Sequence, residues 1–291
     1  MPESREPAAH DRVLVVGASG ALGASVVSAL GATRRWDVVR GGRRPDPATS
    51  TRPAVTVDLA DEASVRAAIR LVRPRAVVIA AGVEPELCGA DPELARLVHA
   101  TSLGWVLEEG QSCGVERVVV PSSSAVYGDA YDVPAREDHP LDPRTLYAET
   151  KVAAEAVVSA WNSSHSPLRA TALRIFNVYG DGFSRSLVQR LLHSRAAEPV
   201  GLAGLDGFRR DYVSSRDTAD AVLRVLESPG DLPDVINIGS GTAVSNRELV
   251  ASLSRRVVIA WRETAARSSY SCADISLARR VLGFAPASIL A

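Results

Sequence analysis

Tyr147 and Lys151 stand four residues apart in the segment Tyr147-Ala148-Glu149-Thr150-Lys151. On a helix that spacing brings both side chains to one face, a turn apart. A free phenol titrates near ~10 and a neighbouring ammonium favours its phenolate, so the two make a workable acid/base pair. Composition also sets Lys151 apart: of the 33 lysine and arginine residues it is the sole lysine. A planar, forked guanidinium is a poor substitute for a compact ammonium beside a small donor. Alone, the pentapeptide would read as a surface lysine packed over a tyrosine; the rest of the chain decides against that.

An acid/base pair on a helix needs a scaffold to present it. Short β-branched runs at 12–16, 37–40, 54–57, 76–80, 117–121 and 170–175 alternate with helix-like segments at 21–32, 62–72, 92–113 and 144–163. Continuous rather than alternating apolar strands predict an α/β fold whose parallel sheet is covered on both faces, doubly wound as in Rossmann domains. We expect this dinucleotide-binding domain over 12–180. From Asp181 the rhythm shortens, with Gly and Pro punctuation and one further strand-like run at Val235–Ile238. That shift predicts a smaller C-terminal lobe over 181–291, interleaved with the last sheet strands and binding substrate.

The first strand runs into Gly17-Ala18-Ser19-Gly20-Ala21-Leu22-Gly23. Gly17 permits the tight turn, Gly20 lets backbone approach a pyrophosphate, and Gly23 allows close helix–strand packing, while the helix start at Ala21 and Leu22 offers N–H groups to the anion. The tip of the second strand, Arg40-Gly41-Gly42-Arg43-Arg44, has no carboxylate before Asp46. Arg43 there points to NADP rather than NAD, although surface arginines are common in this chain. Asp58 and Leu59, ending the third strand, are placed to meet the adenine.

Apolar residues make up 46% and charged residues 23%, with net charge −1. This is ordinary for a soluble protein and gives no reason to expect nucleic acid or an anionic membrane as partner. Apolar runs such as 76–83 are too short to span a bilayer. Residues 1–11 read as a polar, disordered leader without a signal-peptide core. Cys88, Cys113 and Cys272 lack metal-ligand spacing and fit small hydrophobes in a reducing cytoplasm.

With the glycine turn, Ser122-Ser123-Ser124-Ala125-Val126-Tyr127-Gly128, Tyr147 to Lys151, and Arg174-Ile175-Phe176-Asn177-Val178-Tyr179-Gly180 in order, the chain resembles the extended short-chain dehydrogenase/reductases. More narrowly it resembles their nucleotide-sugar epimerase/dehydratase/reductase branch. The likeness spans about 12–286 and continues through Arg210-Asp211-Tyr212-Val213 and Asn237-Ile238-Gly239-Ser240-Gly241. It implies that Tyr147 is the general acid/base, Lys151 holds the nicotinamide ribose and the phenolate, and Ser123 (or Ser124, one register along) bonds the substrate oxygen. Ala80, Ala81, Gly82 and Phe176 would line the cofactor; Asn177 and Arg210 would meet a sugar diphosphate, although Arg210 could equally pair with Asp211 or Asp217. A homodimer through the helices at 92–113 and 144–163 is implied, with Ala148, Val152, Ala153 and Ala156 permitting close packing.

The departures narrow the activity. The Asp-Glu pair of sugar 4,6-dehydratases is replaced by Ser124-Ala125, which removes the acid and base for elimination. The asparagine before the fourth helix is replaced in Thr101-Ser102-Leu103-Gly104. Thr264 stands where an arginine is usual, with Arg267 as a substitute, and the 177–210 stretch is short. The leading expectation is an NADP-dependent ketoreductase of a nucleotide-linked keto-sugar. The alternative is an NAD-dependent nucleotide-sugar epimerase using the same Ser123, Tyr147 and Lys151. A dinucleotide sensor without catalysis would be expected to have lost the Tyr/Lys pair.

Overall fold

Val13, Leu14 and Val15 are wholly buried, and so are Val77 and Val78; strands of this kind need cover on both faces. The computed structural model describes residues 11–44, 52–128, 131–265 and 268–290. The expected leader, apart from Asp11, lies outside the described residues, as do Asp46 and Arg267.

In chain order the first elements are β1 (Arg12–Val16), α1 (Ala21–Thr33), β2 (Asp37–Gly42), β3 (Ala54–Thr56), α2 (Glu62–Val72) and β4 (Ala76–Ile79). There follow α3 (Pro85–Ala90), α4 (Pro92–Arg96), α5 (Ser102–Ser112), β5 (Arg117–Ser123), α6 (Leu146–Ser163) and β6 (Arg169–Ile175). The remainder comprises β7 (Asn177–Tyr179), α7 (Leu187–Leu192), β8 (Val200–Ala203), β9 (Phe208–Ser214), α8 (Ser215–Glu227), β10 (Val235–Ile238), β11 (Ala243–Ser245), α9 (Asn246–Leu253), β12 (Trp261–Thr264), β13 (Ser269–Ser271) and α10 (Ser276–Leu282).

Seven parallel strands pair in the order β10-β6-β5-β4-β1-β2-β3. Val26 and Leu30 of α1, Val222 of α8 and Leu282 of α10 cover one face. Ile69 of α2, Leu107 of α5 and Val158 of α6 cover the other. This is the doubly wound α/β sheet expected. The strand order reverses between β1 and β4, where Val16 sits beside Ile79, and a crevice opens beyond such a reversal at the carboxyl ends of the strands.

Two differences from the expected elements matter. The helix expected over 92–113 is interrupted by a π-helical turn at Leu97–Thr101; the apolar pattern continues across it, so periodicity does not show the break. Beyond Asp181 there are five short strands besides β10. β11, β9 and β13 form one sheet, with β7 joining β9, and β12 pairs β8. These strands are short and carry Arg, Asp and Ser, so their sequences lack an apolar alternation. A buried carboxylate ties β9 to the chain just before β11 and just after β13. Asp211 on β9, 0% exposed, accepts from the Ser240 N–H and hydroxyl (both 2.6 Å), the Gly241 N–H (3.0 Å) and the Ala273 N–H (3.1 Å).

Among the described residues no helix is long and apolar enough to cross a membrane.

Candidate active site

Gly17 sits at the reversal point with φ +84°, and a Cβ there would lie 2.5 Å from the Ala81 N and 2.8 Å from the Ala80 carbonyl carbon. Only glycine admits both that backbone angle and the contact with the end of β4. A Cβ on Gly23 would lie 2.0 Å from the Gly17 carbonyl oxygen, so the turn folds directly onto the first turn of α1. Gly20 is the helix N-cap, and no side chain caps it. Its N-terminal turn therefore keeps the positive end of the helix dipole open to an anion. The turn is tied to β2 by the Gly17 and Ala18 N–H groups, which donate to the Gly41 carbonyl at 2.8 and 3.2 Å.

Arg43 is exposed just past the β2 tip. Asp58 braces its own turn: its N–H donates to the Ser64 hydroxyl and its carboxylate accepts from the Ala60 N–H, both at 3.0 Å. The Leu59 side chain is buried in the core on the α2 face of the sheet.

Ser123 ends β5, and its hydroxyl accepts from the Ala125 N–H at 3.2 Å and lies near the Tyr147 phenol. Tyr147 lies in the first turn of α6, which Thr145 caps by accepting from the Ala148 N–H. Lys151, 9% exposed, follows one turn on, with its Nζ 5.5 Å from the Tyr147 ring centre and donating to the Pro121 carbonyl at 3.0 Å.

Burial pushes the Tyr147 phenol above its ordinary value; the Ser123 hydroxyl opposes this and the nearby Cys88 adds to it. Desolvation therefore dominates at Tyr147, against the simple expectation that Lys151 draws the phenol down. Burial also lowers Lys151, to about 8, against the opposing pull of Cys88 and Glu155.

Glu155 extends the same helix face by one more turn. It pairs with Arg174 through two contacts, 3.0 and 2.7 Å, and accepts from the Ser122 hydroxyl at 2.5 Å. Arg174 reaches on to the Tyr127 hydroxyl at 2.7 Å, which donates to Asn237 at 2.8 Å. This buried network locks α6 to β5, β6 and β10, and the motif reading passed over it. The signal was present, since Tyr147, Lys151 and Glu155 continue one four-residue spacing.

His99, in the π-helical turn, was also missed. Its Nε2 accepts from the Val83 N–H and its Nδ1 meets the Thr150 hydroxyl, both at 2.8 Å. Its ring packs edge-on to Tyr147 with centres 5.8 Å apart.

The expected sugar-diphosphate residues have other engagements here. Asn177 donates to the Asp211 carbonyl at 2.9 Å. Arg210 stacks on the Phe208 ring at 3.8 Å and donates to the Ser269 hydroxyl at 2.8 Å. The Arg210 partners first considered are taken up elsewhere, Asp211 as described and Asp217 by the Ser214 hydroxyl. Phe176 is buried against Tyr127. Gly82 adjoins His99, whose Nε2 would lie 2.9 Å from a Cβ there.

This arrangement has relatives. Residues 13–239 match the family described as the NAD dependent epimerase/dehydratase family. A UDP-glucose 4-epimerase of Azospirillum brasilense is 32% identical over 279 residues, covering 85% of this chain and 78% of that protein. Among solved structures, MoeE5 in complex with UDP-glucuronic acid and NAD is 28% identical with TM-score 0.82, covering 95% of this chain and 94% of that one. The UDP-glucose 4-epimerase of Thermus thermophilus in complex with NAD is 27% identical with TM-score 0.79, covering 94% of each chain. The chain belongs to the NAD-dependent epimerase/dehydratase family, a branch of the extended short-chain dehydrogenase/reductases.

Proposed function

We propose that the protein is an NAD-dependent epimerase of a nucleoside-diphosphate sugar. The observation that carries this is the juxtaposition of Ser123, Tyr147 and Lys151 with a glycine cradle at the strand-order reversal, in a chain whose relatives include UDP-glucose 4-epimerases, one of them in complex with NAD, and MoeE5 in complex with UDP-glucuronic acid and NAD. The cradle fits a dinucleotide: the Gly17 turn, the uncapped start of α1 at Ala21 and Leu22, and the Ala80–Gly82 backbone would hold it.

When bound, NAD supplies a hydride acceptor that later becomes a hydride donor. Ser123 donates a hydrogen bond to the reacting sugar oxygen, and Tyr147 takes the proton from that oxygen and returns it to the opposite stereoisomer. Lys151 lies beside Tyr147 to favour the phenolate that accepts this proton and is re-formed when the proton is returned, a task for which the compact ammonium is suited. Arg210 and Asn177, on the lobe side, are assigned to the diphosphate.

This reading replaces the NADP-dependent keto-sugar reductase to which Arg43 pointed. Arg43 is one exposed arginine in an arginine-rich chain, and the named structural relatives carry NAD. A homodimer belongs to the same proposal. Ala153 and Ala156 face outward on α6, whereas Ala148 is used within the chain's own core and Val152 is half-buried; a monomer in sedimentation would remove it. Three free cysteines accord with a reducing cytoplasm.

The test is to incubate the purified protein with UDP-sugars and follow them by NMR. Stereoisomer formation without added reductant, lowered about 10³-fold in Tyr147→Phe, is expected. Net oxidation of NADPH with no isomer formed would instead restore the reductase.

A further inference from the structure

We propose that His99 is a positioning residue. As a neutral imidazole protonated on Nδ1, it ties the Val83 backbone on the loop after β4 to Thr150 on α6, and so fixes the Tyr147 phenol relative to the loop that faces it. The proposal rests on the reading of Tyr147 as the acid/base group.

The hydrogen bonds assign the tautomer. The Val83 N–H can only donate, so the Nε2 that receives it at 2.8 Å carries no proton. The ring proton then sits on Nδ1 and is donated to the Thr150 hydroxyl at 2.8 Å. The Thr150 hydroxyl in turn donates to the Tyr147 carbonyl at 2.8 Å. One continuous relay therefore runs from the backbone of the β4 loop to the backbone of Tyr147, and the imidazole edge contacts the phenol ring itself.

The surroundings admit only this form. His99 is 6% exposed, and both burial and the Lys151 charge lower its pKa. A second cation would also leave the Val83 N–H opposing an N–H rather than an acceptor. On the loop side, Gly82 has no room for a side chain because of the same imidazole.

Local backbone shape delivers the ring to this spot. Leu97–Thr101 winds as a π-turn between two α-helical stretches. Such a turn inserts an extra residue and rotates the side chains that follow, and it often marks a functional site. Here it turns His99 inward between α6 and the β4 loop. A structural filler would need only volume at this position, whereas the arrangement uses one acceptor and one donor, each aimed at a different element.

Two variants and three readouts test the proposal. In His99→Leu we expect kcat to fall about 10–100-fold with KM within about twofold, the response to a small displacement of a positioned group. His99→Gln offers an amide with one acceptor and one donor edge, and should return kcat to within about fivefold of the parent. In the protein without cofactor, amide exchange of the peptide containing Val83 should quicken in His99→Leu and stay near parent in His99→Gln. Nitrogen-15 shifts should show Nε2 unprotonated and unchanged from pH 5 to 8.

A titration of His99 in that range, or a His99→Leu enzyme with kcat within threefold of parent, overturns the proposal. So does a defect that His99→Gln fails to relieve. If His99→Leu does not fold, the nitrogen shifts and His99→Gln decide alone. Turnover surviving in Tyr147→Phe would strike the acid/base reading instead, and would leave the exchange result standing.

Discussion

The sheet and the C-terminal lobe are held by different forces. Across the sheet, β1, β4 and β5 contribute unbroken apolar residues to two cores, one on each face, and burial of this kind is spread over many side chains. The lobe has a smaller core around Val188, Leu191 and Leu202. Around β9 its segments are also tied by one buried carboxylate, Asp211, with its ring of donors. The first kind of order is redundant and tolerates small losses. The second concentrates in one residue the position of Arg210 and Asn177, the groups assigned to the sugar diphosphate.

The largest expected effect breaks the lobe alone. Asp211→Ala leaves three buried N–H groups without an acceptor, at a cost of about 3–5 kcal/mol. We expect amide exchange to rise in 208–245 and 269–275 while β1, β4 and β5 stay protected. NAD affinity should survive while turnover is lost, and calorimetry with exchange mass spectrometry checks both. A single cooperative loss that includes the sheet would show that the two regions are not separable in this way.

Lys151→Met is a second, smaller probe, on the sheet side. Replacing a buried ammonium with an apolar chain of similar length should raise stability by about 1–3 kcal/mol while turnover collapses. The pH dependence follows from the same group. Its folded pKa of about 8 lies below the ordinary 10.5, so between these values the unfolded chain binds more protons and stability rises with pH. Denaturation midpoints in the parent should rise over that window through this group, and the rise should be absent from Lys151→Met.

The smallest effect concerns the seam between the two regions. Arg185, in the loop before α7, pairs with Glu84 and with Glu86 of the α3 segment across the crevice, and Gly182 packs on Ala21 at the start of α1. These pairs are well exposed, so Arg185→Ala should cost about 0–1 kcal/mol and speed NAD release only a few-fold, less so at high salt. Stopped-flow release of NADH measures it.

The same contrast explains what could be read in the chain beforehand. β1 and β10 were bounded to the residue because buried strands write themselves as continuous apolar runs, and α2 because Asp61 caps it and its apolar residues recur on one face. Ser123, Tyr147 and Lys151 were legible because their chemistry fixes residue type and spacing together. β9 and β13 were not, since a strand held by Asp211 shows no alternation. His99 and Arg174 were hidden for a related reason. Their partners, Val83 and Thr150, Glu155 and Tyr127, are distant in sequence, and the π-turn that aims His99 leaves no periodic trace. Arg43 is a weaker sign than these motifs, because a residue type suited to a phosphate is also the chain's ordinary surface cation.

The central claim is that Tyr147 and its neighbours drive a reversible oxidation at one sugar carbon, with the hydrogen of that carbon kept within the enzyme. Running the isomerisation of a nucleotide sugar in deuterium oxide tests this most directly. The account predicts inverted product with no solvent deuterium at the inverted carbon and no net change in nicotinamide absorbance. Deuterium at that carbon, or stoichiometric consumption of reduced cofactor, would contradict it.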